Sequence, residues 1–112
     1  MILEHLNQSP ETIDFQEVIL YIDKNYKFTP TKFVNGNTTN QVNQNNGSCK
    51  VFSFAKLNNL SKDETLALFG DFYRTDVLQN PTGDDHQNIR NFIEFGWKGI
   101  SFEGEALKLI ES

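Results

Sequence analysis

At 112 residues and 12.9 kDa the chain has the length of one domain and is short for two cores. Its composition, 38% apolar and 22% charged with ten Phe, three Tyr and one Trp, supplies a core and excludes wholesale disorder. Fifteen acidic against ten basic residues give a net charge of −5, which argues against a general binder of nucleic-acid backbone.

Residues 1–8 read as a frayed lead-in. Ser9-Pro10-Glu11 then suits a helix start: a capping hydroxyl, a pre-set φ and an acid for the dipole. Phe15, Val18, Ile19, Ile22 and Tyr26 follow at one-face spacing, predicting a helix from about residue 10 to 26. Tyr26–Val34 changes period and reads as a short extended piece around Pro30, closed by the Asn35-Gly36 turn signal. Residues 35–47 are rich in Asn, Thr, Gln and Gly, with Val42 their one apolar residue. They read as a polar loop, either plain surface or a binding loop.

A short helix is expected over Cys49–Leu57, although Lys50–Phe54 also alternates like a strand. Ser61-Lys62-Asp63-Glu64 is a capping box, and the helix it opens is expected to run to about residue 78 with Gly70 inside it. Asn80-Pro81-Thr82-Gly83-Asp84 turns the chain. A third helix then carries Ile89, Phe92 and Ile93 to about Gly96. Ile100-Ser101-Phe102 alternates like a strand, and Glu105–Ile110 reads as a terminal helical turn. The two extended segments, near 27–34 and 98–103, are expected to pair. The expected fold is therefore α+β, predominantly α-helical: one compact helical domain with a small two-stranded β element.

The chemistry-bearing residues cluster. Both arginines, Arg74 and Arg90, fall with His86, Tyr73, Asp76, Asp84, Asp85, Asn88 and Asn91 in one stretch. Two antiparallel helices joined by a turn would bring them together. Asp76 could then meet Arg90 or Asn91, and Arg74 could meet Asp84 or Asp85, as a charged corner with no catalytic role. The functional alternative is an anion site made of Arg90, His86 and the helix-start amides near Asp85. Asp84, Asp85 and His86 offer metal donors, yet no H-x-x-x-H, H-E-x-x-H or C-x-x-C pattern is present, so no metal is expected. Cys49 with His86 and Asp85 or Asn88 supplies the residue types of nucleophilic catalysis, though nothing in the spacing brings them together. A lone cysteine cannot form an intrachain disulfide. No apolar run approaches a membrane span and no secretory signal pattern opens the chain, so the expected compartment is the cytoplasm.

Phe33-Val-Asn-Gly36, Gly47-Ser-Cys-Lys50-Val-Phe-Ser-Phe-Ala55, Phe69-Gly-Asp-Phe-Tyr-Arg74, Asp76-Val-Leu78 and Asp85-His-Gln-Asn-Ile-Arg-Asn-Phe92, followed by Gly96-Trp-Lys-Gly-Ile100, resemble the HopJ type III effector family. The resemblance covers about residues 10–108. It implies a bacterial protein associated with type III delivery, and it carries over no catalytic residue. The motif positions Asn35, Cys49, Lys50, Tyr73, Arg74, Asp76, Asp85, His86, Asn88 and Arg90 are the candidate site. The expected function is a binding or interaction module for a polar ligand or a protein partner. It is expected to need no cofactor, bind no nucleic acid and insert into no membrane. The alternatives are an effector delivered into a host cell and a small hydrolase or transferase using Cys49 and His86.

Overall fold

The computed structural model describes residues 2–110; Met1 of the expected lead-in lies outside them. The chain is a predominantly helical α+β fold. The lead-in is not frayed: Ile2–Gln8 forms helix α1, which buries Ile2 and Leu6 one turn apart. The expected helix from 10 to 26 is split. Pro10–Thr12 makes one 3₁₀ turn, Ile13 is extended with ψ 135°, and α2 runs from Phe15 to Asn25 with Val18 and Ile22 buried.

The β structure is richer than one pair. Strand β1 (Tyr26–Phe28) pairs antiparallel with β5 (Leu107–Leu109). The segment expected as a terminal helical turn is thus a strand, because β1 offers it a ladder. Strands β2 (Phe33–Asn35) and β3 (Thr38–Asn40) form a hairpin, and β4 (Ile100–Phe102) pairs with the other side of β2. The sheet order is β3-β2-β4, so the expected pairing of the two extended segments is present. The hairpin turn is Gly36–Asn37, with φ +61° at Gly36, the position a type II′ turn reserves for glycine.

Helix α3 (Asn46–Leu57) crosses the middle of the molecule and buries Cys49 and every residue from Val51 to Ala55. Around Phe52 stand the rings of Phe92 at 4.9 Å, Phe69 at 5.2 Å, Phe33 at 6.2 Å and Trp97 at 6.5 Å. Helix α4 (Lys62–Ala67) opens on the Ser61–Glu64 capping box as expected but stops early. Gly70 takes φ +61°, and a π-helical segment, Phe72–Val77, follows. The two helix breaks share one cause. A Cβ on Gly70 would lie 2.9 Å from the Phe15 amide nitrogen and 3.1 Å from the Ile13 carbonyl oxygen. The chain thus bends at Gly70 where it packs on the bend at Ile13, and Arg74 Nη2 donates to the Ile13 carbonyl at 2.6 Å to hold the junction. Helix α5 (Gln87–Phe95) and a 3₁₀ turn, Gly96–Gly99, lead into β4.

Candidate functional site

One cleft of about 490 Å³ opens where α2, α3, α5 and β3 meet. Phe15, Phe69 and Phe72 form its apolar wall, and Thr38, Asn45, Ser48, His86, Gln87 and Asn88 line the rest with Gly47 and Ile89. The Gly70 bend divides the wall: Phe69 is buried while Phe72 is 38% exposed. Gly47 admits the wall to the start of α3, since a Cβ there would meet the tip of the Phe15 ring at 3.1 Å.

Two helices begin at this cleft, each behind a residue in the left-handed region. Asn45 (φ 55°) precedes α3 and His86 (φ 51°) precedes α5. Neither residue caps its helix with its side chain. The first amide N–H groups of an α-helix have no acceptor within the helix and carry the positive end of its dipole. Here they border a space sized for a small molecule.

Beneath the cleft runs a ladder of asparagines. Asn35 Nδ2 donates to the Asn88 carbonyl at 2.8 Å and to Asn88 Oδ1 at 3.0 Å. Asn40 and Asn88 exchange side-chain hydrogen bonds of 3.1 and 2.9 Å. Asn45 Nδ2 donates to Asn40 Oδ1 at 2.7 Å. Asn91 Nδ2 reaches Thr38 Oγ1 at 2.7 Å and the Asn35 carbonyl at 3.2 Å. The ladder ties the β2–β3 hairpin to the starts of both helices. Asn35 Oδ1 is buried and has no hydrogen-bond partner.

His86 lies against Phe72, ring centroids 5.1 Å apart, and its Nε2 is 3.0 Å from Asp76 Oδ2. The Asp76 carboxylate accepts a hydrogen bond from Nε2 and so orients the ring at the edge of the cleft. The expected neighbour Arg90 is turned away from the cleft. Its Nε donates to the Asp85 carbonyl at 2.6 Å, Nη1 to the Asn80 carbonyl at 2.8 Å and Nη2 to Asp85 Oδ1 at 2.6 Å. Arg90 thus staples the 76–90 turn and is no part of the cleft lining. The Arg90 hydrogen bond holds the Asp85 carboxyl below the ordinary aspartate value of 3.8. A depressed folded pKa stabilises above the unfolded value and stops doing so as pH falls through the folded one. Arg90→Ala should cost about 1 kcal/mol in urea titrations at neutral pH, from the lost hydrogen bonds that staple the turn, since the exposed Asn80 and Asp85 carbonyls return to water. The gap to wild type should begin to narrow as pH falls past 3.8 and should finish narrowing as it passes through the lower folded value, where Asp85 loses its charge.

The other candidates lie outside the cleft. Arg74 serves the Gly70 junction and pairs with Asp71 at 3.3 Å, not with Asp84 or Asp85. Lys50 pairs with Asp23 at 2.8 Å. Burial, then the Asp63 charge, push the Tyr73 hydroxyl above its ordinary 10.0. Asn35 belongs to the ladder.

Cys49 is buried and sits apart from the cleft lining, its Sγ 3.7 Å from the Thr31 carbonyl oxygen. Burial pushes its pKa above the ordinary 9.0, which disfavours the thiolate a nucleophile needs. The native thiol should therefore resist iodoacetamide at neutral pH and react stoichiometrically once the chain is unfolded in guanidinium. Mass spectrometry reads both states.

The wall residues Phe15 and Phe72 and the ladder residues Asn40 and Asn45 are not in the sequence-derived site. Among the described residues no group of three or more His, Cys, Asp or Glu side chains could hold a metal ion. No described helix is long and apolar enough to cross a membrane.

Known proteins bear on this architecture in three ways. No curated protein matches the chain. A crystal structure described as that of the unknown function protein VPA0580 is 56% identical, with a TM-score of 0.95 over 96% of this chain and 90% of that one. Residues 1–107 match the family described as HopJ type III effector protein, a match that spans the sheet, the asparagine ladder and the cleft. The chain belongs to the HopJ type III effector family.

Proposed function

We propose that the protein is a binding module whose cleft takes a small molecule with an anionic group and an apolar, planar part. The supporting observation is that two uncapped helix starts, α3 and α5, open into the same cleft beside three phenylalanine rings. The amides of residues 46–48 and 87–88 would receive a carboxylate or phosphate oxygen. Phe72, half exposed at the mouth, would carry the ring of the ligand. No lysine or arginine lines the cleft among the described residues, which favours a singly charged carboxylate over a phosphate dianion.

The test is amide NMR with benzoate, benzamide and inorganic phosphate as probes. Benzoate should move the Gly47, Ser48, Gln87 and Asn88 signals in a saturable way, benzamide far less. Phe72→Ala should weaken benzoate at least about fivefold while lowering stability by less than about 1 kcal/mol. If none of the probes moves those four amides at millimolar concentration, the reading fails.

The family description supports a second reading, delivery by a type III system into another cell. Deleting the first ten residues would be a poor test, because Ile2 and Leu6 are core residues and the deletion would destabilise the fold. The informative comparison is a reporter fused to the C-terminus of the whole chain, in secretion-competent and secretion-deficient strains. Transfer that does not depend on the system would sink this reading.

A further inference from the structure

Strand β4 is an edge of the β3-β2-β4 sheet, and its hydrogen-bond phase is fixed by its flanks. Gly36 N donates to the Gly99 carbonyl at 2.9 Å, and Glu103 N donates to the Lys32 carbonyl at 3.1 Å. In an antiparallel ladder, bonded and non-bonded pairs alternate. Residues 99, 101 and 103 therefore turn their main-chain groups to β2, and residues 100 and 102 turn theirs outward. The Ile100 N–H is used by the Trp97 carbonyl. The Ile100 carbonyl and both main-chain groups of Phe102 have no partner among the described residues.

Two hollows flank this edge and share Lys56. One, of about 390 Å³, is lined by Lys56, Leu60, Trp97 and Ile100 among others. The other, of about 560 Å³, includes Ser53, Leu57, Phe102, Glu103 and Glu105. Lys56 Nζ lies 5.6 Å from the centre of the Phe102 ring and makes no ion pair with any described carboxylate. Leu57 is 54% exposed. Ser53 Oγ, under the larger hollow, is buried without a sound hydrogen bond; its contact is the Cys49 thiol, a weak partner.

We infer that the groove between β4 and the second half of α3 docks an extended peptide strand, added beside β4. Such a strand presents an N–H and a C=O together at alternate residues, the pattern Phe102 leaves open. Charge sets its chemistry. An acidic residue of the peptide faces Lys56, a basic one faces Glu103 and Glu105, and apolar side chains enter the two hollows. This surface is separate from the His86 cleft and does not depend on the small-molecule reading.

The test selects a library of short random peptides on phage against the full chain, then follows the enriched peptide by amide NMR. The expected peptide shifts Phe102, Glu103 and Lys56, slows exchange of the Phe102 amide and leaves Gly47 and Gln87 in place. N-methylating its β4-facing amides should abolish binding. Lys56→Glu, an exposed change that spares the core, should weaken binding about fivefold. The inference is overturned if no peptide enriches, if the enriched peptide shifts the cleft instead, or if binding ignores either N-methylation or Lys56→Glu.

Discussion

Phe52→Ala should cost about 3–5 kcal/mol, read as a drop in the urea midpoint with little change in slope. Phe52 is fully buried and packs on Phe33 of β2, Phe69 beyond α4, Phe92 of α5 and Trp97 of the following turn. Those rings belong to separate elements, each held by its own hydrogen bonds: β2 by two neighbouring strands, Trp97 by a 3.0 Å bond from its indole nitrogen to the Leu60 carbonyl. The walls cannot close over the missing ring without breaking something else, so the cavity penalty adds to the lost burial. A domain of this size has roughly 5–15 kcal/mol in hand. The variant should therefore sit near its folding threshold. A loss below about 1.5 kcal/mol would mean that the walls do relax and that the aromatic cluster is looser than its ring spacings imply.

Local signals in the sequence located the elements, and long-range contacts decided their limits. The Ser61–Glu64 box and the Asn35-Gly36 turn depend on residues within four positions, and both are present. The length of α4 does not depend on its own sequence alone. It ends because Gly70 meets the backbone of Ile13–Phe15, far away in the chain. Strand β5 departs from the expected helical turn for a related reason. Leu107 and Ile110 have helical spacing, but β1 supplies Leu107–Leu109 with a ladder that a helical turn would forgo. Helix α1 gives little signal in the sequence, because two buried apolar residues in seven make a weak pattern; the core they reach is built by other elements.

The site divides in the same way. His86 and Asn88 were legible because they are polar residues at a helix start. Asn40 and Asn45 sat unresolved in a loop of similar residues, and only the hairpin register brings them to Asn88. Phe15 falls on the apolar face of one expected helix and Phe72 within the run of another, where a ring is expected to be buried. The two helix breaks turn them to the cleft instead, their rings 5.0 Å apart in an edge-on contact. Arg90 is the opposite case. It lies in a charged corner, but its carboxylate partner is Asp85 and not the expected Asp76, whose carboxylate pairs with His86 instead.

Asn88→Ala should cost about 3 kcal/mol, an effect out of proportion to the size of the side chain. It removes three hydrogen bonds at once: from Asn35 Nδ2, from Asn40 Nδ2 and to Asn40 Oδ1. Some groups keep a second partner. Asn35 Nδ2 still reaches the Asn88 carbonyl at 2.8 Å, and Asn40 Oδ1 still accepts from Asn45. Asn40 Nδ2 keeps only a 3.4 Å contact to the Phe33 carbonyl, and Asn40 is 1% exposed. Its desolvation is then poorly repaid unless water enters from the cleft that Asn88 lines. Entry of water would soften the loss to about 1–2 kcal/mol and should appear as faster exchange of the Asn40 side-chain amide protons. Either result separates Asn88 from an ordinary surface asparagine, whose removal stays within about 0.5 kcal/mol. Benzoate binding gives the functional arm of the same experiment. If the ladder sets the spacing of the two helix starts, Asn88→Ala weakens benzoate even though the amides that would hold it are all still present. Undiminished binding in a destabilised variant would show that the ladder supports the fold and not the cleft.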